Sequence, residues 1–166
     1  MSENYIVING KKAELTQEQL EALGIEVKKP SPFDRVRNHE NNTYYFIPSY
    51  GVVNSHEDKN DAYDTCKFEC ANYCTDKDLL QQQAYRETLN RLLWRFSMEH
   101  DGDKIGWTGN KVYGIYFCHV VDEWRIEPND SYQTFGAVYF IDDKTAEQAI
   151  EEVVKPFMAS HPDFKL

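Results

Sequence analysis

The apolar residues Tyr85, Leu89, Leu92, Leu93 and Phe96 recur at steps that place them on one face of a helix. Thr75 reads as the N-cap of that helix, with Asp76 and Asp78 in the first turn, where the helix dipole favours anions. Asp101-Gly102-Asp103 ends it. A second helical pattern runs through Ala146, Ala149, Ile150, Val153, Val154 and Phe157 after a cap at Asp142 or Asp143. Pro156 should distort its last turn, because proline has no N–H to donate.

Aromatic and β-branched runs mark the strands. Tyr5 to Ile8 and Lys11 to Glu14 flank Asn9-Gly10, whose residues accept the positive φ of a type I′ turn. Thr16 and Gln19 then form a capping box for a short helix that carries Leu20 and Leu23 and stops at Gly24. Thr43 to Ile47 and Tyr50 to Val53 read as a hairpin across Pro48-Ser49, followed by a polar loop from His56 to Asp61. Cys66 to Tyr73 fits either a short helix or a strand. Val112 to His119 is predicted to pair with Trp124 to Ile126, Pro128-Asn129-Asp130 breaks that hairpin, and Phe135 to Ile141 is a further strand.

Two junctions resemble each other. Tyr73-Cys74-Thr75-Asp76 matches Tyr139-Phe140-Ile141-Asp142 without a gap, and Leu80, Gln82 and Gln83 then fall on Ala146, Gln148 and Ala149. Each follows an aromatic hairpin, so each half reads as hairpin, polar loop, strand and capped helix. The expected class is α+β: an antiparallel sheet from two repeated βββα units with helices packed on one face, plus a small N-terminal ββα appendage. The divisions are the appendage at 1–27, a Pro-containing basic linker at 28–42 and a main domain at 43–166, with halves 43–103 and 104–166. The identities are few, so chance similarity of two strand-to-helix junctions is the competing explanation.

Composition narrows the classes. A chain of 166 residues, 41% hydrophobic and 14% aromatic, can bury a core and is too rich in Tyr and Phe to be disordered. No run approaches the roughly 18 apolar residues of a membrane span, and the first residues lack a signal peptide's basic and apolar regions, so a cytoplasmic location is expected. The four cysteines should then be reduced and behave as small hydrophobes. Net charge is -10, which opposes unaided approach to a phosphate backbone and favours a basic partner. The excess of acids lies in Glu57 to Asp78 and Asp122 to Leu166, whereas Lys28, Lys29, Arg35 and Arg37 make one basic stretch.

The sequence Ile-Val-Ile-Asn-Gly-Lys-Lys-Ala-Glu-Leu-Thr-Gln-Glu-Gln-Leu within 5–25 is followed by Pro-Phe-Asp-Arg-Val at 32–36 and Tyr-Tyr-Phe-Ile at 44–47. Asn-Tyr-Cys-Thr stands at 72–75 and Phe-Gly-Ala-Val-Tyr-Phe at 135–140. With these motifs the chain resembles a group of uncharacterised proteins of Firmicutes phages and prophages. The resemblance spans most of the chain and implies a mobile-element origin, with no catalytic motif to transfer. Small acidic phage proteins of this kind include inhibitors of host defence, among them anti-CRISPR proteins, which makes a CRISPR effector or another nucleic-acid-binding defence protein the expected partner.

Candidate chemistry is sparse. Cys66, Cys70 and Cys74 would share a helix face, but they lack the paired Cys-x-x-Cys spacing of zinc sites, and no metal or other cofactor is expected. Glu57-Asp58-Lys59, Asp76-Lys77-Asp78 and Asp142-Asp143-Lys144 hold the ingredients of metal-dependent phosphodiester cleavage, yet such triplets are common and two sit at expected helix caps. His39, His56, His100, His119 and His161 stand in no recognisable catalytic arrangement. Enzyme signals are weak, and the reading leans to a non-enzymatic protein. The residues expected to meet a partner are the acids Glu57, Asp58, Asp61, Asp142, Asp143, Glu151 and Glu152, with Tyr44, Trp124 and Tyr132 as aromatic contacts. An alternative is a nucleic-acid-binding or nucleic-acid-processing protein gripping phosphate through Lys28, Lys29, Arg35, Arg37, Arg86, Arg91 and Arg95. A homo-oligomeric structural accessory is the third reading.

Overall fold

The computed structural model describes residues 5–8, 11–24, 31–36, 42–48, 51–107 and 110–166. The Asn9-Gly10 turn, Lys28, Lys29, Arg37, His39 and Tyr50 lie outside the described residues. The protein combines helices with small antiparallel sheets, an α+β arrangement. It divides into two compact units, one built from the chain up to Pro48 with Val53–Leu80, the other from Ser49–Val52 with Gln81–Leu166. No helix among the described residues is long and apolar enough to cross a membrane.

The first unit begins with β1 (Tyr5–Ile8) and β2 (Lys11–Glu14), paired antiparallel with Tyr5 opposite Glu14 and Ile8 opposite Lys11. The capping box then starts α1 (Gln17–Ala22): the Thr16 hydroxyl accepts from Gln19 N, and the Gln19 side chain accepts from Thr16 N. Gly24 follows with φ of +68°. The next hairpin is β3 (Thr43–Phe46) with β4 (Asn54–Glu57). Its second strand thus lies downstream of the expected Tyr50–Val53, in sequence read as the start of a polar loop. Cross-strand pairing explains the shift. Tyr44 lies opposite His56, with the rings edge-on at 5.8 Å, and such side-chain pairs set register more directly than the apolarity of a short run.

The ambiguous stretch is helical, α2 (Ala62–Glu69), with Asp61 as its N-cap. Cys74 then makes an antiparallel bridge with Tyr45, donating to Tyr45 O at 3.0 Å and accepting from Tyr45 N at 2.7 Å. The long helix α3 (Lys77–Glu99) follows. Its cap is Asp76, whose Oδ1 accepts from Leu79 N at 3.0 Å, not Thr75. Thr75 instead donates from both N and Oγ1 to the Pro32 carbonyl, at 2.8 and 3.2 Å. The segment 31–36 is thereby tied to the unit at Pro32. Buried Tyr44, Phe46 and Tyr73 form the core here, Tyr44 and Tyr73 stacked at 4.1 Å.

In the second unit, β5 (Val112–Cys118) is central, with β6 (Glu123–Asn129) on one side and β7 (Tyr139–Phe140) on the other. β6 runs through Pro128, which is tolerated because β6 is an edge strand and that residue needs no outward donor. β7 is shorter than the predicted Phe135–Ile141, since a turn with Gly136 at φ +78° carries the chain away from the sheet. Asp142 caps α4 (Asp143–Ala149), accepting from Thr145 N at 2.7 Å. A wider π-helical turn at Ile150–Val154 leads to α5 (Lys155–Ser160), which contains Pro156. The distortion thus falls upstream of the proline, where the ring would otherwise crowd the carbonyl of Glu152. Phe96 of α3 packs with Phe140, Ala146 and Ala149, and with Tyr113, Ile115 and Ile126 of the sheet. Leu89 packs with Val154, Phe157 and Phe164.

Among the described residues the strands do not join into one sheet but form three, ordered β1-β2, β3-β4 and β6-β5-β7. The outer strand β6 carries Glu123, Arg125, Glu127 and Pro128, residues that oppose further pairing at an edge.

Gly102 makes the turn after α3, and a Cβ there would stand 2.6 Å from the Ser97 carbonyl oxygen. Gly102→Ala should destabilise the protein by about 1–3 kcal/mol, lowering the unfolding temperature by several degrees. Gly106→Ala, whose Cβ would meet only a side-chain atom at 3.4 Å, is the control in the same thermal melts.

Candidate functional site

The first unit is built around two buried acidic side chains. Asp58 ends the segment after β4, and Arg35 reaches it from the chain before β3. Arg35 Nε donates to Asp58 Oδ2 at 2.7 Å and Nη2 to Oδ1 at 3.0 Å, while Nη1 donates to Thr65 Oγ1 at 3.2 Å. Both side chains are nearly inaccessible, at 6% and 1% exposure. Tyr73 donates its hydroxyl to Asp58 Oδ2 at 3.0 Å and accepts from Val36 N at 3.0 Å. Asn60 N donates to Asp58 Oδ1 at 2.8 Å. The hydrogen bond from Arg35, opposed by burial and supported by the other donors, holds the Asp58 carboxyl down to about 2. Burial pushes the Tyr73 hydroxyl up to about 12 and raises that of Tyr44 as well.

Asp64, on the first turn of α2, is fully buried. Its Oδ1 accepts from the Tyr44 hydroxyl at 3.0 Å, and its Oδ2 from Lys59 N at 2.7 Å and Asp61 N at 3.3 Å. His56 Nε2 stands 3.7 Å from Oδ1, too far for a good hydrogen bond. The carboxyl oxygens of both residues are occupied by protein donors. The open cavity beside α2, lined by Asn60, Asp61, Thr65, Cys66, Glu69 and Cys70, reaches neither buried acid nor His56. This geometry uses both acids to hold segments of the unit together.

The second unit carries an accessible surface on the connector between β6 and β7. Asn129 Nδ2 donates to Tyr132 O at 2.7 Å, Thr134 N donates to the Tyr139 hydroxyl at 2.8 Å, and Asn90 Nδ2 of α3 donates to Gly136 O at 2.8 Å. Tied down in this way, the connector leaves Tyr132 60% exposed and Phe135 fully so. On one side it borders a groove with Trp94, Met98, Ile105 and Trp107, in which Trp94 is 56% exposed. Glu99 and Asp101 stand nearby at the end of α3. On its other side lies a cleft of about 540 Å³ lined by Leu89, Leu93, Ile115, Phe117, Trp124 and Phe164.

The sequence-predicted residues scatter across these features. Tyr44 and Asp58, expected to face a partner, are buried, because the first unit uses their polar groups internally. Asp61 and Asp142 are exposed N-caps, their carboxyls held below the usual range by backbone donors. Glu57, Asp143, Glu151 and Glu152 are exposed, with Glu151 paired to Lys155. Tyr132 is exposed, whereas Trp124 packs partly buried against Phe117 at 5.3 Å. Of the arginines expected on phosphate, Arg35 is locked to Asp58, Arg91 lies 3.7 Å from Glu87 and Arg95 3.9 Å from Glu99. Exposed Arg86 donates to Lys165 O at 3.5 Å.

The three spaced cysteines do not share a face: Cys66 and Cys70 are exposed at α2, while Cys74 is buried in the bridge to Tyr45. Burial pushes its thiol up. Among the described residues no group of three or more His, Cys, Asp or Glu is placed to hold a metal.

Asp64, Trp94 and Phe135 were not singled out by sequence reasoning. Asp64 follows Asp61 by three, the spacing of a reciprocal cap, and Trp94 falls off the apolar stripe of α3; both signals are local and were available. Comparison with known proteins returns no match to a family model, a curated protein or a solved structure.

Replacing Asp58 by Asn leaves Arg35 buried beside a neutral amide and should cost about 3–5 kcal/mol in urea unfolding, with the double variant Arg35→Met and Asp58→Leu recovering much of it. Since the folded carboxyl titrates at about 2 and an unfolded one at about 3.9, its contribution of roughly 2 kcal/mol is in place above pH 4 and is lost as pH falls toward 2. Stability measured across that range should fall further in the wild type than in the double variant, in which Asp61 and Asp142, also held below the usual range, still contribute to acid loss.

Proposed function

We propose that the chain is a non-enzymatic, phage- or prophage-encoded acidic protein that binds and inhibits a host protein, acting in the bacterial cytoplasm. The partner is a nucleic-acid-binding defence effector, a CRISPR effector among them. The observation that carries this reading is the exposure of Trp94 and Phe135 on the second unit. Large aromatic side chains are the usual anchors of protein interfaces, and a partner that covers them removes their apolar surface from water. The unit's fourteen acids against nine Lys and Arg favour a basic partner surface of the kind that binds nucleic acid, and steer it at long range. The acid pairing of Arg91 and Arg95 and the burial of Arg35 weaken the case for direct phosphate contact.

The reading includes an origin by duplication of a βββα unit. Its support is that β3 is flanked by β4 and Cys74 as β5 is flanked by β6 and β7, and that Asp76 and Asp142 cap the helices that follow. The intervening segment differs, since α2 occupies it in the first unit and a non-helical connector in the second.

Purified RNA-guided nucleases and other nucleic-acid-binding defence proteins of a bacterial host, immobilised in parallel, provide the test. At least one should bind the protein with an affinity that falls as salt rises, and Trp94→Ala or Phe135→Ala should each weaken it by about tenfold or more. Binding to DNA or RNA alone in a gel shift, or Mg²⁺-dependent cleavage, would replace this reading with the nucleic-acid one.

A further inference from the structure

Among the described residues, one edge of the second unit's sheet is left bare. β5 is paired along its whole length with β6, from Val112 opposite Asn129 to Cys118 opposite Glu123. On its other side only Tyr113 and Gly114 have partners, Phe140 and Tyr139 of β7. The chain entering β7 leaves β5 at Val138, so Ile115 to Cys118 have no strand beside them among the described residues. Alternate residues of a strand point their N–H and C=O groups to opposite edges, so this segment presents unfilled donors and acceptors. The turn at Cys118 uses one carbonyl, which accepts from Val121 N at 3.3 Å; among the described residues no other hydrogen bond outside the β6 ladder reaches the segment.

Three further observations bear on what belongs there. First, the missing strand's place is a cleft of about 540 Å³, in which Ile115 and Phe117 face Leu89 and Leu93 of α3 and the rim holds Arg86 and Glu127, one charge of each sign. Second, the cleft is held open: Asn90 Nδ2 donates to Gly136 O at 2.8 Å, and the turn closed by Ala137 N on Thr134 O at 3.1 Å keeps the connector on α3 instead of on β5. Third, the two sheet edges are treated differently. β6 is guarded by Glu123, Arg125, Glu127 and Pro128, whereas Ile115-Tyr116-Phe117-Cys118 has neither charge nor proline. Exposed strand edges in proteins are normally blunted by such residues, and an unguarded one pairs with whatever extended chain is offered.

The geometry points to β-strand addition: an extended peptide segment of a partner protein docks along Ile115–Cys118, inserting alternate apolar side chains into the cleft beside α3. The inference rests on the proposed reading for the partner being a protein, and adds the chemistry of the segment it contributes. Side chains that alternate with the buried ones emerge on the face of Tyr116, which is 41% exposed, and the unit's excess of acids favours Lys or Arg there. A second copy of this chain is the poorer occupant, since each copy carries a net charge of -10 and like-charged copies repel.

The probe is a synthetic seven-residue peptide, acetyl-Lys-Val-Lys-Val-Thr-Val-Lys-amide, with two relatives N-methylated on the backbone at the valines or at the two internal residues between them. N-methylation at alternate positions removes the donors of one strand edge and leaves every side chain in place. The unmodified peptide should bind the full chain and slow amide exchange at Ile115 to Cys118 by about tenfold or more. One N-methylated relative should lose about tenfold in affinity while the other binds as the parent does, because only one edge of the peptide faces β5. Equal binding by all three peptides, no binding by any, or protection elsewhere would overturn the proposal. Protection of Ile115–Cys118 without peptide, rising with protein concentration, would overturn it in favour of self-pairing. If Trp94→Ala abolishes effector binding while no peptide protects the edge, this inference falls and the proposed function stands. If the edge is protected but no effector is captured, the reverse holds.

Discussion

A carboxylate removed from water must be given hydrogen-bond donors in place of its hydration, or its burial costs several kcal/mol. The first unit is organised by that requirement. The donors to Asp58 and Asp64 come from Arg35 before β3, from Tyr44 within it, from Lys59, Asn60 and Asp61 after β4, and from Tyr73 before α3. Satisfying two side chains therefore ties these segments together. The stacked rings of Tyr44 and Tyr73 serve the same end, because each brings a hydroxyl to an acid from an otherwise apolar face. A buried ion pair contributes little net stability against an apolar substitute, but loss of either member leaves the other stranded.

The second unit relies on apolar packing instead. α3 covers the sheet with Leu89, Leu93 and Phe96, and the helices after Asp142 return Ala146, Ala149, Val154 and Phe157 to the same face. Polar side chains inside it are few and specific: Ser97 donates to Tyr139 O at 2.6 Å, holding β7 to the helix. Among the described residues no buried side-chain nitrogen or oxygen in either unit lacks a partner. Against that background the edge of β5 turned away from β6 at Ile115–Cys118, without a strand among the described residues, and the exposed ring of Phe135 are the features left unfilled.

Much of the local structure was legible in the residues. The Thr16–Gln19 capping box, the helical stripe of α3, the Asp142 cap and the β5–β6 hairpin depend on neighbours within a few positions, and so does the stop at Gly24. The misplaced elements share a different cause. Thr75 has the right chemistry for a cap, but a carbonyl from Pro32 claims it and Asp76 caps instead. β4 is polar, and only its pairing with aromatic β3 makes it a strand. Phe135 to Val138 has strand composition, yet the bond from Asn90 to Gly136 draws it to the helix.

The same division runs through the candidate sites. From sequence alone, Asp58, Tyr44 and Arg35 looked like surface recognition groups, because charge and aromaticity say what a side chain can do and not whether water reaches it. Their burial follows from meetings between residues twenty or more positions apart, Arg35 with Asp58 and Tyr44 with Asp64. Exposure of Trp94 was implicit in its place off the apolar stripe of α3, since helical periodicity is a local property. The sequence by itself thus determined the α+β character, the acidic balance and the start and stop of α1, which follow from local dihedral preference, period and charge. Tertiary structure alone decided which acids lie inside, where β7 leaves β5 and which edge stays open, because each depends on hydrogen bonds between distant segments competing for the same backbone groups.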